Sequence, residues 1–123
     1  MRTILTLCAL ILAAGAYFGW RATRLPTQYG TFIGAPKAEA AELIERPKDF
    51  LGKTVLVEGT VREQCTTMGC YFFMPSGTRM LRIELRDIAM TAPMREGHRA
   101  RAEGQLVPFG DGYQLAASAV EFQ

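Results

Sequence analysis

The sequence predicts a mainly β domain: a small five-stranded OB-like antiparallel barrel with one short leading helix, set behind a transmembrane or signal helix. Three observations predict it. Residues 4–20 hold 14 hydrophobic residues out of 17 and no charge. From Gly52 onward the apolar period changes from that of a helix to the alternation of strands. Two of those strands also echo each other at an offset of 45 residues, each with a glycine directly after a glutamate, Glu58-Gly59 and Glu103-Gly104. A glycine inside a strand marks a bulge or a bend, and two bends help a small sheet curl toward closure.

Composition bounds the alternatives. The chain has 123 residues, 49% of them hydrophobic, and a net charge of +2. That excludes a disordered tail and a collagen-like fibre. Arg2, Arg21 and Arg24 flank the apolar opening, which leaves eleven basic and twelve acidic residues beyond it. The folded part is therefore not basic, which argues against a nucleic-acid partner, whose affinity is mainly electrostatic.

The first element, Ile4–Trp20 behind Arg2, has the form of a signal-anchor or a secretory signal. Tyr17, Phe18 and Trp20 lie at its C-terminal end, where aromatic rings favour the headgroup level, and Arg21 and Arg24 follow. Ala14-Gly15-Ala16 keeps cleavage open as the alternative. Cys8 reads as a small apolar residue within this helix. The organisation expected is an anchor or signal over 1–24, a linker over 25–35, and the barrel with its leading helix over 36–123. Pro36 suits a first helical turn and Pro47 stops the helix near Glu45, with Ala40, Leu43 and Ile44 on one face.

Five strands follow. Lys53–Val61 places Val55, Val57 and Val61 on one face; Cys70–Met74 ends at Pro75-Ser76-Gly77; Arg79–Arg86 turns Leu81, Ile83 and Leu85 inward. His98–Phe109 and Tyr113–Phe122 flank the turn Gly110-Asp111-Gly112. Strand two carries apolar side chains on both faces and reads as buried on both.

Cys65-Thr66-Thr67-Met68-Gly69-Cys70 is the most distinctive local feature. In an oxidising compartment two cysteines at a strand turn form a disulfide, and closing so short a loop contributes about 2 kcal/mol in the chain-entropy model. The alternative is a thiophilic-metal (copper) or thiol-redox site on Cys65, Cys70 and Met68, since thiolates and thioethers are soft ligands. Zinc would want four ligands, and the domain offers two thiols and His98. Four residues between the thiols on a strand turn also differ from the C-x-x-C helix start of thiol exchangers. A second alternative is single-stranded nucleic acid, with Tyr71 and Phe73 (or Phe72) stacking on bases and Arg79, Arg82 and Arg86 meeting phosphate; Glu84 interrupts those arginines. Met68, Tyr71, Phe73, Arg82 and Arg86 are the ligand-binding candidates. His98 reads as a strand-edge residue. No nucleophile elbow, metalloprotease helix, phosphate loop or paired-carboxylate pattern occurs, so the expected role is a non-catalytic binding or accessory module.

From Leu43 to about Gln105 the chain resembles a bacterial exported family of unknown function with an OB-like barrel. The matching residues are Pro47, then Gly52-Lys53-Thr54-Val55, Val57-Glu58-Gly59-Thr60-Val61, Cys65-x4-Cys70 with Gly69 and a following aromatic, Asp87, Pro93, Gly97 and Glu103-Gly104. The family pattern has Trp where Tyr71 stands, and aromatics where Ile88, Ala89 and Met90 stand. The resemblance implies a fold and a compartment, and no activity. It implies a single-pass protein of the bacterial inner membrane with its C-terminal domain in the periplasm, or a secreted one after cleavage. The expected partners are the membrane, through the helix, and another envelope protein.

Overall fold

The computed structural model describes residues 1–22, 27–65, 70–88 and 92–123. Helix α1 spans Arg2–Ala22 and makes one continuous apolar rod. Its 21 residues reach about 31 Å at ~1.5 Å per residue, close to the ~30 Å hydrocarbon core of a bilayer. Its large side chains, Ile4, Leu10 and Leu12 among them, are all exposed, so nothing in the described fold covers it. The hydroxyl of Thr6 bonds back to the carbonyls of Arg2 and Thr3 at 2.9 Å, which satisfies that polar group within the helix.

Among the described residues, six strands form one sheet: β1 (Gln28–Gly30), β2 (Thr54–Thr60), β3 (Tyr71–Ser76), β4 (Arg79–Glu84), β5 (Arg99–Phe109) and β6 (Gly112–Phe122). The order is β2-β5-β6-β4-β3, with β1 on β6. All pairs are antiparallel except β4 with β6, where Ile83 faces Leu115 and Glu84 faces Ala116. The alternation read from the sequence holds for Val55, Val57, Leu81 and Ile83, which point into one core, and the structure adds Leu106 and Leu115 to it. Val61 and Leu85, just past their strands, point there too. Phe72 and Phe122 meet in it with ring centroids 5.8 Å apart.

Four features depart from the expectation. The ladders form an open path rather than a closed five-stranded barrel. Among the described residues, backbone hydrogen bonds between the two ends of the path run just past β2, where Arg62 and Phe73 exchange bonds of 2.8 Å and Cys65 N–H reaches the Tyr71 carbonyl at 3.0 Å. Glu63 takes φ 47°, a left-handed conformation that turns the chain out of the ladder there. Within the expected linker, residues 28–30 form a sixth strand, because Thr27–Gly30 satisfies the free side of β6. Helix α2 begins only at Ala40 and runs to Glu45, because residues 36–38 pair with the exposed edge of β2 instead. There Leu56 N–H donates to the Pro36 carbonyl at 2.9 Å and Ala38 N–H donates to the Leu56 carbonyl at 2.8 Å. Strand β3 also runs through Pro75 to Ser76, and the reversal falls on Gly77, at φ 63°.

The two glutamate–glycine pairs behave differently. At Glu103-Gly104 the register with β6 shifts by one residue, a bulge, and a Cβ on Gly104 would collide with the Ala116 carbonyl. At Gly59 there is no shift, and the missing Cβ makes room for the Met74 side chain.

Candidate functional site

The outward face of β3 and β4 gathers most of the candidate residues. Alternation along β3 buries Phe72 and Met74 and turns Tyr71 and Phe73 outward, half-exposed, with their rings edge to face at 6.0 Å. Strand two is thus buried on one face only, contrary to the reading of its apolar run. The register sets Tyr71 opposite Glu84 and Phe73 opposite Arg82.

Arg82 is the centre of this face. Its guanidinium lies 3.9 Å from the Tyr71 ring centroid and 4.4 Å from that of Phe109. Its Nε donates to Gln114 Oε1 at 2.9 Å, and its Nη2 pairs with Glu84 at 3.3 Å. The side chains of Arg82 and Glu84 are only 17% and 13% exposed, although both leave the sheet on its solvent side. Two rings and two acceptors desolvate this arginine, which strengthens each contact relative to water. Glu84 also accepts the Arg86 N–H at 3.1 Å and lies 3.8 Å from the Arg86 guanidinium, which stays 69% exposed. Glu84 is therefore the acceptor that two arginines share, not a mere interruption of a basic row. The sequence reading missed Phe109 and Gln114. They lie 27 and 32 residues from Arg82 in the chain, and only the β6 pairings to β4 and β5 bring them to it.

The cysteine turn borders this face. Cys70 precedes Tyr71, and its carbonyl accepts the Leu85 N–H at 2.7 Å. The side chains of Cys65 and Cys70 hydrogen-bond as thiols. Partial burial pushes the Cys70 thiol above its ordinary range, and the Cys65 side chain and the Glu84 charge push it further the same way. Met68 lies outside the described residues, as do Ala89 and Met90. Among the described residues no three His, Cys, Asp or Glu side chains converge to hold a metal. His98 is exposed at the start of β5, its Nδ1 3.0 Å from the Gln123 carbonyl. Arg79 opens β4, exposed, at the other end of that strand from Arg86.

Beside the arginine stack the same face sinks into a shallow cleft of about 360 Å³. Ala116, Val107 and Ile88 form its apolar floor, and Asp87, Thr54 and Gln105 its polar rim. Further along β5, a different charged group holds the leading segment down. The buried Glu103 carboxylate accepts the Ile33 N–H at 2.7 Å and the Ala35 N–H at 2.9 Å. Glu58, its echo in β2, pairs with Lys37 at 3.2 Å. Both repeated glutamates therefore hold residues 33–37 against the sheet.

Comparison with models of known protein families gives no match, and comparison with curated proteins gives none either.

Proposed function

We propose that the chain is a membrane-anchored extracytoplasmic binding module of OB-like architecture. It is non-catalytic, takes a protein partner of the envelope, and carries a Cys65–Cys70 disulfide in its oxidised form. The single observation that carries the binding reading is the desolvated Arg82, stacked between Tyr71 and Phe109 on a face that would otherwise be solvated. Phe109 stays 48% exposed and Phe73 half-exposed beside it. Half-exposed aromatics around an arginine are the residue types that dominate interface energetics. The OB-like reading is supported by the strand order, by the parallel β4–β6 pairing and by the Arg62–Phe73 bridge. An OB-fold is itself a partly open five-stranded Greek-key barrel. The anchor reading is supported by the length and unbroken apolarity of α1.

The test uses the full chain in its native membrane. Affinity capture of a tagged wild type is compared with a Tyr71→Ala/Phe73→Ala double variant and with Asp49→Ala, in the exposed turn after α2. The partner should be recovered with wild type and Asp49→Ala and lost with the double variant. Identical recovery with all three would remove the face from the account.

One observation favours a second reading, a thiol-redox or soft-metal site: the hydrogen-bonded Cys65 and Cys70 side chains. Two thiols suit a linear copper(I) ion, and Met68 would be the third candidate ligand. Metal analysis of the purified full chain, with Cys65→Ser/Cys70→Ser as control, separates this from the bridge. For single-stranded nucleic acid the face offers less charge than its arginines suggest, because Glu84 neutralises Arg82 and is shared with Arg86. Weak or absent binding of oligonucleotides at ~150 mM salt is expected.

A further inference from the structure

The cysteine turn and the arginine stack are joined by short contacts. Cys65 N–H donates to the Tyr71 carbonyl, and the Cys70 carbonyl accepts from Leu85, so the backbone entering β3 is held by the segments that contain or adjoin both cysteines and Glu84. Tyr71 follows Cys70 covalently and stacks on Arg82 at 3.9 Å. Arg82 is held by Glu84, which faces Tyr71 across the β3–β4 pair and acts on the Cys70 thiol through its charge. Any change in the Cys70 backbone is thus passed to the ring that forms one wall of the stack. Both thiols are partly exposed, so an oxidant can reach them.

We propose that Cys65 and Cys70 form a reversible dithiol–disulfide couple that sets the geometry of the Tyr71–Arg82–Phe109 stack and thereby regulates binding at that face. This rests on the binding reading above. The oxidant is a protein or low-molecular-weight disulfide. One cysteine loses its proton and its thiolate attacks a sulfur of that disulfide; a mixed disulfide forms and the first half of the oxidant leaves as a thiolate. The second cysteine, deprotonated in turn, attacks the mixed disulfide at the protein's sulfur, closes the Cys65–Cys70 bond and expels the second half. Two electrons pass from the cysteine pair to the oxidant, and the two protons end on the two thiols released. Closure replaces a thiol–thiol hydrogen bond by a covalent bond, which draws the two backbones together at the base of Tyr71.

The test uses the full-length chain in nanodiscs with Cys8→Ser, so that only the pair reports. Glutathione buffers of varied redox ratio are the probe. Mass analysis after maleimide alkylation counts thiols, and fluorotyrosine placed at position 71 reports the ring's surroundings by 19F NMR. Both thiols should disappear together in oxidised glutathione and return in reduced glutathione. The fluorine resonance should move between the two states, and Arg82→Gln should reduce that movement at least twofold without altering the thiol count. Thiols that stay alkylatable in the oxidised buffer would overturn the couple. A bridge that forms and reverses while the resonance stays in place would overturn its link to the stack. Loss of the binding reading is recognised separately, by a partner that the Tyr71/Phe73 variant still captures.

Discussion

Two glutamates illustrate how differently one residue type can be used in this small domain. Glu103 is buried and accepts two backbone N–H groups from the segment ahead of α2. Removing its side chain leaves two partly buried donors without an acceptor, and hydrogen bonds to a charged group are worth about 1.5–3 kcal/mol each. Glu103→Ala is therefore expected to lower stability by about 3–6 kcal/mol in denaturant unfolding, and the amides of Ile33 and Ala35 should lose exchange protection. Glu84, by contrast, belongs to the proposed binding face: it pairs with Arg82 in the stack and adds to the rise that burial and Cys65 give the Cys70 thiol. Only the thiolate is alkylated, so the rate of Cys70 modification should rise with pH around a midpoint above the ordinary thiol range. A nearby negative charge disfavours the thiolate, so Glu84→Gln should move that midpoint down. Arg82 and Arg86, both attached to Glu84, would be left with one neutral acceptor between them. An alkylation profile over pH on the Cys8→Ser chain, with and without Glu84→Gln, checks the sign.

At the scale of elements, the bulge at Glu103-Gly104 and the register of β5 on β6 decide how the sheet turns. Gly104 lies so close to Ala116 that any side chain there meets backbone, which cannot swing aside as a flexible side chain would. Gly104→Ala should cost about 3 kcal/mol, measured by thermal or denaturant unfolding. Gly112→Ala, where a Cβ meets nothing within 4 Å, should be far milder. Strands β2 to β6, and the inward faces of β2 and β4, were legible in the sequence because alternation and burial express the same physical demand. Thus Leu81, Ile83 and Leu85 alternate with Arg82, Glu84 and Arg86 as the sequence reading expects. The start of α2 was not legible: Pro36 signals a helix, but the free edge of β2 competes for the same residues. Strand β1 escaped notice for a similar reason, since three residues carry no period and their strand character comes from β6. At the site, Tyr71, Phe73, Arg82 and Arg86 could be proposed from local pattern. Phe109 and Gln114 could not, because their nearness to Arg82 depends on the parallel β4–β6 contact.

The whole molecule couples an apolar rod to a sheet domain on one outward face of which Tyr71, Phe73, Arg82 and Arg86 gather. The exposed apolar side chains of α1 suit a bilayer, where a charge near the helix middle is strongly disfavoured, by about 2.5–3.5 kcal/mol on insertion scales. Leu10→Arg/Leu12→Arg is therefore expected to shift the full chain from the alkali-resistant membrane pellet toward the soluble fraction. A reporter joined after Gln123 should be active on the outer side of the membrane and silent in the cytoplasm. The Tyr71–Arg82–Phe109 face is proposed to receive a partner. Photocrosslinking in intact cells tests it most directly, with a photoreactive phenylalanine placed in turn at Phe73, at Phe109 and at Asp49 on the α2 side. One discrete adduct is expected from Phe73 and Phe109, and none from Asp49. Adducts of equal yield from all three positions, or from Asp49 alone, would contradict it.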